Sequence, residues 1–372
     1  MFLNSSVLKS LTEQLKQSKP LTTSQVSSAV ASLIDETIAA ETKADFLIAL
    51  AQRGETVEEI AAFAQELREK SVQPQLDAET RSREILDVCG TGGDHQNTFN
   101  ISTTVALVAA SAGVTVAKHG NRAVTSQSGS ADVLEALGIK IDLSPEQTAE
   151  SLRQHNFAFF FAPKFHPAFK HLALARKLCA QRGHRTIFNL LGPLLNPARP
   201  SAQLIGVPHP KFCEPMARVL QMLGVRRGMV VCGEIKKTSN TQHPTPNVES
   251  SALFLDEFST LGETFVAEFY QERGFSCSTF SPENFSLQSA SSNDLTGGNS
   301  KANAEIVLRI FSGEERGPKR DAVLLNSAAA LLVSGKAKNL SEGWDFAAEL
   351  IESGRATTKL EDLAQFSKDC AA

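Results

Sequence analysis

The chain has 372 residues, which suggests two domains, or one large and one small, and its content of 42% hydrophobic and 21% charged residues is ordinary for a globular protein. Its net charge of −4 argues against nucleic-acid binding. The longest apolar stretches are too short to span a bilayer, and residues 1–15 lack the continuous apolar run of a signal peptide, so no membrane partner is expected. The six irregularly spaced cysteines argue against a zinc site or a disulfide framework and indicate reduced thiols in a cytoplasmic protein.

The first 75 residues are predicted to form a small all-helical domain. Apolar residues recur at helical spacing from residue 5 to about residue 72, with separate repeats at 8–15, 24–38, 43–53 and 56–69. Thr56 and Glu59 have the spacing of a capping box, which predicts a helix N-terminus there. Residues 71–80 contain Pro74 and several charges, so they are interpreted as a linker to a second domain that covers 80–372.

From residue 84 onwards, predicted strands alternate with predicted helices, which is typical of a mostly parallel α/β sheet with right-handed crossovers. Short apolar runs predict strands at 85–89, 114–117, 139–141, 203–207 and 227–232. Helices are predicted at 101–112, 131–137, 215–223, 302–311, 320–334 and 341–353. Residues 265–270 and 274–280 are predicted to form an antiparallel pair, and the polar segment 234–251 an exposed loop insertion.

A glycine-rich loop separates the first predicted strand of this domain from its first helix. The loop is Gly90-Thr91-Gly92-Gly93-Asp94, and Asn100-Ile101-Ser102-Thr103 opens the helix. Glycines let backbone N–H groups approach an anion closely, and a helix N-terminus adds free N–H donors and the positive end of a dipole. Together these features predict a cradle for a phosphate or diphosphate. The spacing matches neither GxxxxGK[ST] nor GxGxxG, which disfavours a P-loop ATPase and a dinucleotide-binding fold.

A cationic cluster, Lys118-His119-Gly120-Asn121-Arg122, directly follows the strand predicted at 114–117. Ligands bind at the carboxyl ends of strands in α/β sheets, and cationic side chains there complement a polyanion. The small, hydroxyl-rich segment 125–130 that follows predicts a loop that covers the site. Taken alone, the cluster also fits a solvated basic turn.

These motifs, with others in fixed order, closely resemble the anthranilate phosphoribosyltransferase family. The order is GTGGD, TFNIST, KHGNR, SGSADVLEALG, RTIFNLLGPLLNP and RDAVLLN. The resemblance implies a nucleoside phosphorylase/phosphoribosyltransferase-like fold, in which a small helical domain, with part of the 165–195 region packed on it, is hinged to a larger α/β domain. It also implies a homodimer that transfers phosphoribose from phosphoribosyl diphosphate to the amine of anthranilate in tryptophan biosynthesis, with Mg²⁺ as cofactor.

The resemblance assigns roles to residues at the matching motif positions. Phosphoribosyl diphosphate would be held by Gly90, Gly93, Asp94, Thr98, Asn100, Ile101, Ser102, Thr103, Lys118, Ser126 and Ser130. Anthranilate would be contacted by Gly90, Asn121, His166 and Arg176, with the Arg176 guanidinium a natural partner for its carboxylate. His119 would lie beside the acceptor, and no general base is assigned.

The magnesium-binding Asp-Glu pair of the family is displaced in this chain. The family places it shortly after a Val-Val-x-Gly strand end, but here Val230-Val231-Cys232-Gly233 is followed by Glu234-Ile235-Lys236-Lys237. The segment Leu255-Asp256-Glu257-Phe258-Ser259 resembles the family's Leu-Asp-Glu-x-Ser segment, which makes the polar stretch before it an insertion of about twenty residues. Asp256 and Glu257, helped by Ser102, are therefore expected to hold Mg²⁺ next to substrate phosphates. The local sequence alone also fits an exposed acidic turn.

The sequence departs from the family pattern at two positions. His95 stands where glycine is common, and Gln127 where a basic residue is frequent.

A pyrimidine nucleoside phosphorylase of the same fold would use phosphate as the attacking group, but NIST, KHGN and RTIFNLLGP fit the transferase better. A non-catalytic, nucleic-acid-binding member of the fold would need a basic surface and eroded motifs, which the charge of −4 and the nearly complete motif set disfavour.

Overall fold

The computed structural model describes residues 3–123, 127–236, 252–271 and 273–370, and these ranges form a helical N-terminal region followed by an α/β region. The N-terminal helices are α1 (Leu3–Lys16), α2 (Thr23–Ile34), α3 (Ala40–Arg53) and α4 (Val57–Glu69). The predicted capping box starts α4, because Thr56 accepts a hydrogen bond from the Glu59 backbone and the Glu59 side chain accepts one from the Thr56 backbone. A short helix, α5 (Ala78–Ser82), lies at the end of the predicted linker.

The α/β region is built on an eight-stranded sheet in the described part of the chain. Its strands are β1 (Ile85–Gly90), β2 (Thr115–Gly120), β3 (Phe157–Phe161), β4 (Ala202–Gly206), β5 (Arg227–Ile235), β6 (Leu253–Leu255), β7 (Thr264–Tyr270) and β8 (Gly274–Phe280). The order is β3-β2-β1-β4-β5-β7-β8, and β6 also pairs with β5. The first five strands run parallel, and β6, β7 and β8 are antiparallel to their neighbours. The carboxyl ends of β1, β2, β4 and β5 therefore lie at one edge of the sheet.

Helices cover both faces of this sheet. They are α6 (Ile101–Ser111), α7 (Ser130–Ala136), α8 (Pro145–His155), α9 (Ala162–Phe165), α10 (Ala173–Gln181), α11 (Phe188–Leu191), α12 (Cys213–Met222), α13 (Ser300–Phe311), α14 (Pro318–Val333), α15 (Leu340–Glu352) and α16 (Arg355–Asp369). Leu204 and Val231 belong to one buried apolar cluster with α6, α14, α15 and α16. Their neighbours Ile205 and Val230 belong to a second cluster with α1–α4 and α12, so the helical region packs on the opposite face. Among the described helices, none is long and apolar enough to cross a membrane.

The predicted strand at 139–141 is wrong. Ile139 and Ile141 are buried in the first apolar cluster, but this segment is not part of the described sheet. Strand β2 pairs instead with β3, whose sequence Phe157-Ala158-Phe159-Phe160-Phe161 is a continuous apolar run. Such a run is typical of a strand covered on both faces, where no polar alternation is needed.

Two further differences concern the later part of the chain. An additional amphipathic helix, α16, follows the helix predicted to be the last one. Strand β5 continues to Ile235 and therefore includes the first two residues of the predicted loop at 234–251. Residues 237–251 lie outside the described residues.

Candidate active site

A cavity of about 710 Å³ lies at the carboxyl ends of β1 and β2, between the α/β region and the helical region. The α/β region contributes the glycine loop, the start of α6, the end of β2 and the Asp256-Glu257 pair. The helical region contributes Ala51 and Glu55, and the segment around α10 and α11 contributes Arg176, Arg185 and Phe188. The cavity is thus formed by both parts of the chain.

The glycine loop makes a close turn over the end of the sheet. Gly92 and Gly93 have φ values of +72° and +84°, a region that favours glycine. The Thr91 N–H donates to the Gly206 carbonyl oxygen at 2.9 Å, and the Gly92 N–H donates to Asp256 Oδ2 at 2.8 Å. A Cβ atom at Gly90 would lie 2.2 Å from the same oxygen. The loop therefore requires glycine to bring its backbone against a carboxylate.

The Asp256-Glu257 segment crosses the carboxyl ends of β4 and β5. A Cβ atom at Gly206 would lie 1.4 Å from the Asp256 carbonyl oxygen, and one at Gly233 would lie 2.6 Å from that of Glu257. Asn326 fixes the next residue of the segment, since its Oδ1 accepts the Phe258 N–H at 2.8 Å and its Nδ2 donates to the Phe258 carbonyl at 3.0 Å. The two carboxylates that the displaced motif singled out therefore reach the cavity.

These carboxylates have an unfavourable electrostatic environment. Glu257 Oε1 accepts the Ser102 N–H at 3.1 Å, and the Asp256 N–H lies 3.5 Å from Asp94 Oδ2. Burial raises the pKa of Asp256, and the Asp94 carboxylate raises it further. Burial also raises the pKa of Glu257, with a second contribution from Asp256. Close like charges of this kind are relieved by a bound cation.

The donor set fits a magnesium ion that is shared with a ligand. Within the described ranges, no three His, Cys, Asp or Glu side chains form a complete metal site by themselves. Mg²⁺ usually binds one or two protein carboxylates and completes its coordination with water and substrate phosphates. Asp256 and Glu257 line the same cavity as the glycine loop, which is the arrangement that such a shared ion needs.

Lys118 lies beneath the start of α6 and is buried, with 1% of its surface exposed. Its Nζ donates to the Val88 carbonyl at 2.6 Å and to Ser102 Oγ at 3.4 Å. Burial lowers the pKa of Lys118, while Asp87 and Glu257 oppose that shift. The side chain connects β1, β2 and the helix start that was predicted to cradle phosphate.

Ten of the eleven predicted phosphate ligands line the cavity. The cavity surface includes Gly90, Gly93, Asp94, Thr98, Asn100, Ile101, Ser102, Thr103, Lys118 and Ser130. Asn100 is held on both sides, since its Nδ2 donates to the Ser128 carbonyl at 3.1 Å and its Oδ1 accepts from Asn303 Nδ2 at 2.8 Å. Ser126 lies outside the described residues.

His119 and Arg176, which the resemblance places near the acceptor, both line the cavity. His119 Nδ1 lies 3.1 Å from the Gly192 carbonyl oxygen, which makes this nitrogen the protonated one in the neutral ring. Burial lowers the pKa of His119 to about 3, with a further contribution from His166. Arg176 lies 5.5 Å from the centre of the Phe188 ring. Asn121 also lines the cavity.

His166 is not among the residues that line the cavity in the described structure, and its contact with anthranilate stays a prediction. It is buried behind His119, with the two ring centroids 5.2 Å apart, and its other face stacks on Phe169 at 5.0 Å. Burial lowers the pKa of His166 to about 4, so the ring is neutral near pH 7. The His166 ring contacts the His119 ring, and this contact connects His166 to the cavity.

The motifs gave no role to several cavity residues. Arg185 and Phe188 lie within the quoted RTIFNLLGPLLNP motif, yet their side chains had no assigned function. Glu55 comes from the loop between α3 and α4, where nothing local distinguishes it from a solvated charge. Asn303 is buried and braces Asn100 from a helix distant in sequence. Only the fold brings these residues to the site.

Comparison with known proteins defines the class and then the family. Residues 82–357 match the model of the glycosyl transferase family, a/b domain, and residues 9–71 match that of the glycosyl transferase family, helical bundle domain. The fold and the cavity therefore define a glycosyl transferase with these two parts. The chain is 48% identical over 322 residues to the anthranilate phosphoribosyltransferase of Petrotoga mobilis, covering 87% of this chain and 86% of the relative. The chain belongs to the anthranilate phosphoribosyltransferase family, as its motifs predicted.

Other relatives agree over nearly the full length. The anthranilate phosphoribosyltransferase of Acetivibrio thermocellus is 43% identical over 363 residues, 97% of each chain. A solved structure of the Thermus thermophilus enzyme superimposes with a TM-score of 0.82 at 38% identity, covering 96% of this chain and 99% of that one. The Saccharomyces cerevisiae enzyme in complex with PRPP and Mg has a TM-score of 0.82 at 27% identity, with 98% of each chain covered. The predicted fold class is thereby confirmed.

Proposed function

We propose that the cavity transfers the phosphoribosyl group from phosphoribosyl diphosphate to the amine of anthranilate. The products are N-(5-phosphoribosyl)anthranilate and diphosphate, and the reaction belongs to tryptophan biosynthesis. The observation that carries this proposal is the meeting of the glycine loop, the start of α6 and the Asp256-Glu257 pair around one cavity in a chain of this family. Relatives from S. cerevisiae solved with PRPP and Mg, and with 4-fluoroanthranilate, support the two substrates.

The donor binds at the glycine loop and at the start of α6. Backbone N–H groups of the loop, the hydroxyls of Ser102 and Thr103, and the Lys118 ammonium provide the positive and hydrogen-bonding surface for its phosphates. Thr98, Asn100 and Ser130 complete this surface. We retain Ser126 as a further donor ligand, on the family resemblance.

Magnesium is the cofactor, and Asp256, Glu257 and Ser102 hold it. When bound, the ion supplies positive charge to the diphosphate that leaves. Other residues of the chain position the two carboxylates. Gly206 and Gly233 allow the carboxylates to lie over the strand ends, and Asn326 fixes the segment that carries them. This assignment is supported by the proximity of the two carboxylates and by their raised pKa values.

Anthranilate binds on the side of Asn121, Arg176 and His119, with Gly90 at the boundary between the two substrates. The Arg176 guanidinium is the partner for the anthranilate carboxylate, because its planar donors match a carboxylate in geometry and charge. The stacking of Arg176 on Phe188 holds the guanidinium in place. His166 supports this side from behind through its contact with His119.

The chemistry is a substitution at the anomeric carbon of the ribose. The bond from this carbon to the diphosphate oxygen breaks, and the amine nitrogen of anthranilate forms the new bond and then loses a proton. Positive charge develops on the ribose and negative charge on the diphosphate, so Lys118 and the loop N–H groups stabilise the leaving group. The aromatic amine is already nucleophilic, and positioning contributes more than a strong base would. The neutral His119 is a poor base at its lowered pKa.

The division into two domains explains how water is excluded. We assign residues 1–75 to a helical domain, with part of the 165–195 region packed on it, and residues 80–372 to the catalytic domain. Lys43 Nζ donates to the His171 carbonyl at 3.0 Å, and Arg182 Nη1 lies 2.7 Å from Asp45 Oδ1, which supports this grouping. Closure of the two domains over the cavity would protect the activated sugar from hydrolysis.

The same proposal includes a cytoplasmic homodimer. The family resemblance supports the dimer, and the free state of the six cysteines, which all lie in the described residues, supports a reducing compartment. Size-exclusion chromatography with light scattering should give twice the mass of the chain at micromolar concentration. A monomer across this concentration range would contradict the dimer without affecting the proposed reaction.

The proposed reaction is tested by substrate dependence. Purified protein is incubated with anthranilate, phosphoribosyl diphosphate and Mg²⁺, and the loss of anthranilate fluorescence is followed while released diphosphate is measured separately. Loss of anthranilate and release of diphosphate in equal amounts is the expected result. Phosphate-dependent cleavage of a pyrimidine nucleoside, without anthranilate consumption, would favour the phosphorylase instead.

A further inference from the structure

Four arginine and lysine side chains line the cavity in the described residues, and three of them already contact carboxylates, a backbone carbonyl or an aromatic ring of the protein. Arg122 Nη1 forms ion pairs with Asp132 at 3.0 Å and with Glu135 at 2.5 Å. Lys118 is buried and donates to the Val88 carbonyl. Arg176 lies on the Phe188 ring on the acceptor side.

Arg185 is the fourth cation, and its surroundings differ. It is exposed, and it has no carboxylate within 4.0 Å among the residues that the structure describes. Its Nη2 donates to the Gly93 carbonyl at 3.3 Å and lies 3.4 Å from His95 Nε2. The Gly93 carbonyl carries no charge, so in the described residues no carboxylate neutralises the guanidinium.

A positive charge at this place would balance negative charge in the cavity. Its own acidic side chains are Glu55, Asp94, Asp256 and Glu257, and a diphosphate group adds further negative charge beside them. Shared Mg²⁺ and Lys118 meet part of this charge. Arg185 lies at the same loop whose Gly92 N–H donates to Asp256, and so it lies on the diphosphate side of the cavity.

We propose that Arg185 is a further ligand of the diphosphate group of the donor substrate. On binding, its guanidinium exchanges the Gly93 carbonyl for diphosphate oxygens, which are stronger and charged acceptors. This inference rests on the proposed function, since it takes phosphoribosyl diphosphate as the donor.

The position of Arg185 in the chain gives the contact a second consequence. It lies between α10 and α11, and α10 packs against α3 of the helical region. The glycine loop belongs to the α/β region. A diphosphate held from both sides therefore draws the two parts of the chain together over the cavity.

The test compares Arg185→Ala and Arg185→Lys with Arg182→Ala. Arg182 lies three residues earlier, is exposed, pairs with Asp45 and does not line this cavity. For Arg185→Ala, we expect KM for phosphoribosyl diphosphate and Ki for diphosphate to rise about tenfold or more, with KM for anthranilate within about twofold of wild type. Arg185→Lys should recover part of this loss, and Arg182→Ala should match wild type.

Inhibition by ribose 5-phosphate separates the two phosphate positions of the donor. It should be unchanged in Arg185→Ala, because this inhibitor lacks the diphosphate. Unchanged KM and Ki in a folded variant, or weakened inhibition by ribose 5-phosphate alone, would overturn the proposal. If wild-type protein shows no turnover, the proposed function fails, and calorimetric titration of wild type and Arg185→Ala with Mg²⁺ and diphosphate still decides the role of Arg185.

Discussion

Asp256 and Glu257 illustrate how single residues set the chemistry of the cavity. Each carboxylate is placed next to another acidic group, and burial raises the pKa of both. Without a cation this arrangement is unfavourable, since desolvation and repulsion both oppose ionisation. It becomes favourable when a divalent ion and a backbone N–H donor share the negative charge, as the contacts of Gly92 and Ser102 indicate.

Replacing both carboxylates should remove magnesium-dependent turnover. In Asp256→Ala/Glu257→Ala we expect kcat/KM to fall by about a hundredfold or more, because charge stabilisation of the leaving diphosphate is lost. Steady-state kinetics across a Mg²⁺ titration measures this effect. Asp345→Ala, at an exposed position of α15, is the control and should behave as wild type. Full activity in the double variant would contradict the assignment of Asp256 and Glu257 as magnesium ligands.

The paired histidines predict a pH dependence of stability. Burial lowers the pKa of His119 to about 3 and that of His166 to about 4, from an ordinary value of 6.5. The unfolded chain therefore binds protons below pH 6.5 that the folded chain does not. The resulting stability is fully present above pH 6.5, is lost progressively as the pH falls below 6.5, and the loss is complete near pH 4 for His166 and near pH 3 for His119.

Thermal melts of wild type and His166→Gln between pH 7 and pH 5 test this linkage. The free energy of unfolding of wild type should lose about 2 kcal/mol more than that of the variant at pH 5, because one buried neutral histidine has been removed. The difference between the two curves isolates His166 from the other titrating groups. Parallel curves would show that the ring is protonated equally in both states.

At the scale of elements, glycines at the strand ends hold the site together. Strands β1, β4 and β5 end near Gly90, Gly206 and Gly233, and each of these lacks room for a Cβ against the Asp256-Glu257 segment. The segment can cross the sheet edge only because these positions have no side chain. The carboxylates are therefore positioned by backbone contact as well as by their own hydrogen bonds.

Gly206→Ala should displace this segment. The added Cβ would stand 1.4 Å from the Asp256 carbonyl oxygen, so the segment must shift by an ångström or more. We expect kcat/KM to fall about a hundredfold, since misplacement by about 1 Å costs this much in positioned chemistry. Gly192→Ala is the matched control, because its Cβ meets nothing within 4 Å. Equal kinetics of the two variants would contradict the proposed crossing.

The elements themselves were predictable where periodicity and flanking residues agreed. The strand before the glycine loop, helix α6 and the β7–β8 pair follow from apolar runs and turn residues. The strand predicted at 139–141 was wrong because an alternating apolar triplet can be buried without pairing to a sheet. Strand β3 was not predicted, although its continuous apolar run is of the same kind as those that predicted β1 and β2, because such a run also fits a segment of buried helix.

At the scale of the whole molecule, the helical region belongs to the site as well as to the core. Ala51 and Glu55 line the cavity, and Lys43, with 1% of its surface exposed, donates to the Asp35 and His171 carbonyls at 2.7 and 3.0 Å. These bonds tie the helical region to the segment that carries Arg176. The acceptor side therefore depends on packing far from the glycine loop.

Lys43→Ala should weaken this connection. Two carbonyls lose their donor, and we expect the free energy of unfolding to fall by about 2 kcal/mol and KM for anthranilate to rise more than KM for phosphoribosyl diphosphate. Lys9→Ala, an exposed position of α1, serves as the control. Thermal melts and steady-state kinetics measure both effects. Equal changes in the two KM values would argue that Lys43 has only a general structural role.

The sequence predicted the contiguous parts of the cavity lining better than the parts assembled from distant segments. The glycine loop and the start of α6 are contiguous, so local motifs describe them well. Glu55 and Asn303 reach the site only through tertiary packing, and no local pattern marks them, whereas Arg185 begins a quoted family motif that assigned no role to its side chain. A motif position does not show which ring faces the cavity, and in the structure His166 packs against His119 without lining the cavity.

The most direct measurement of the central claim is anthranilate consumption by wild-type protein, followed by fluorescence with and without phosphoribosyl diphosphate and Mg²⁺. We expect anthranilate fluorescence to fall only when both are present, with one diphosphate released for each anthranilate consumed. Unchanged fluorescence with folded protein and both substrates at saturating concentration, or turnover that does not depend on Mg²⁺, would contradict it.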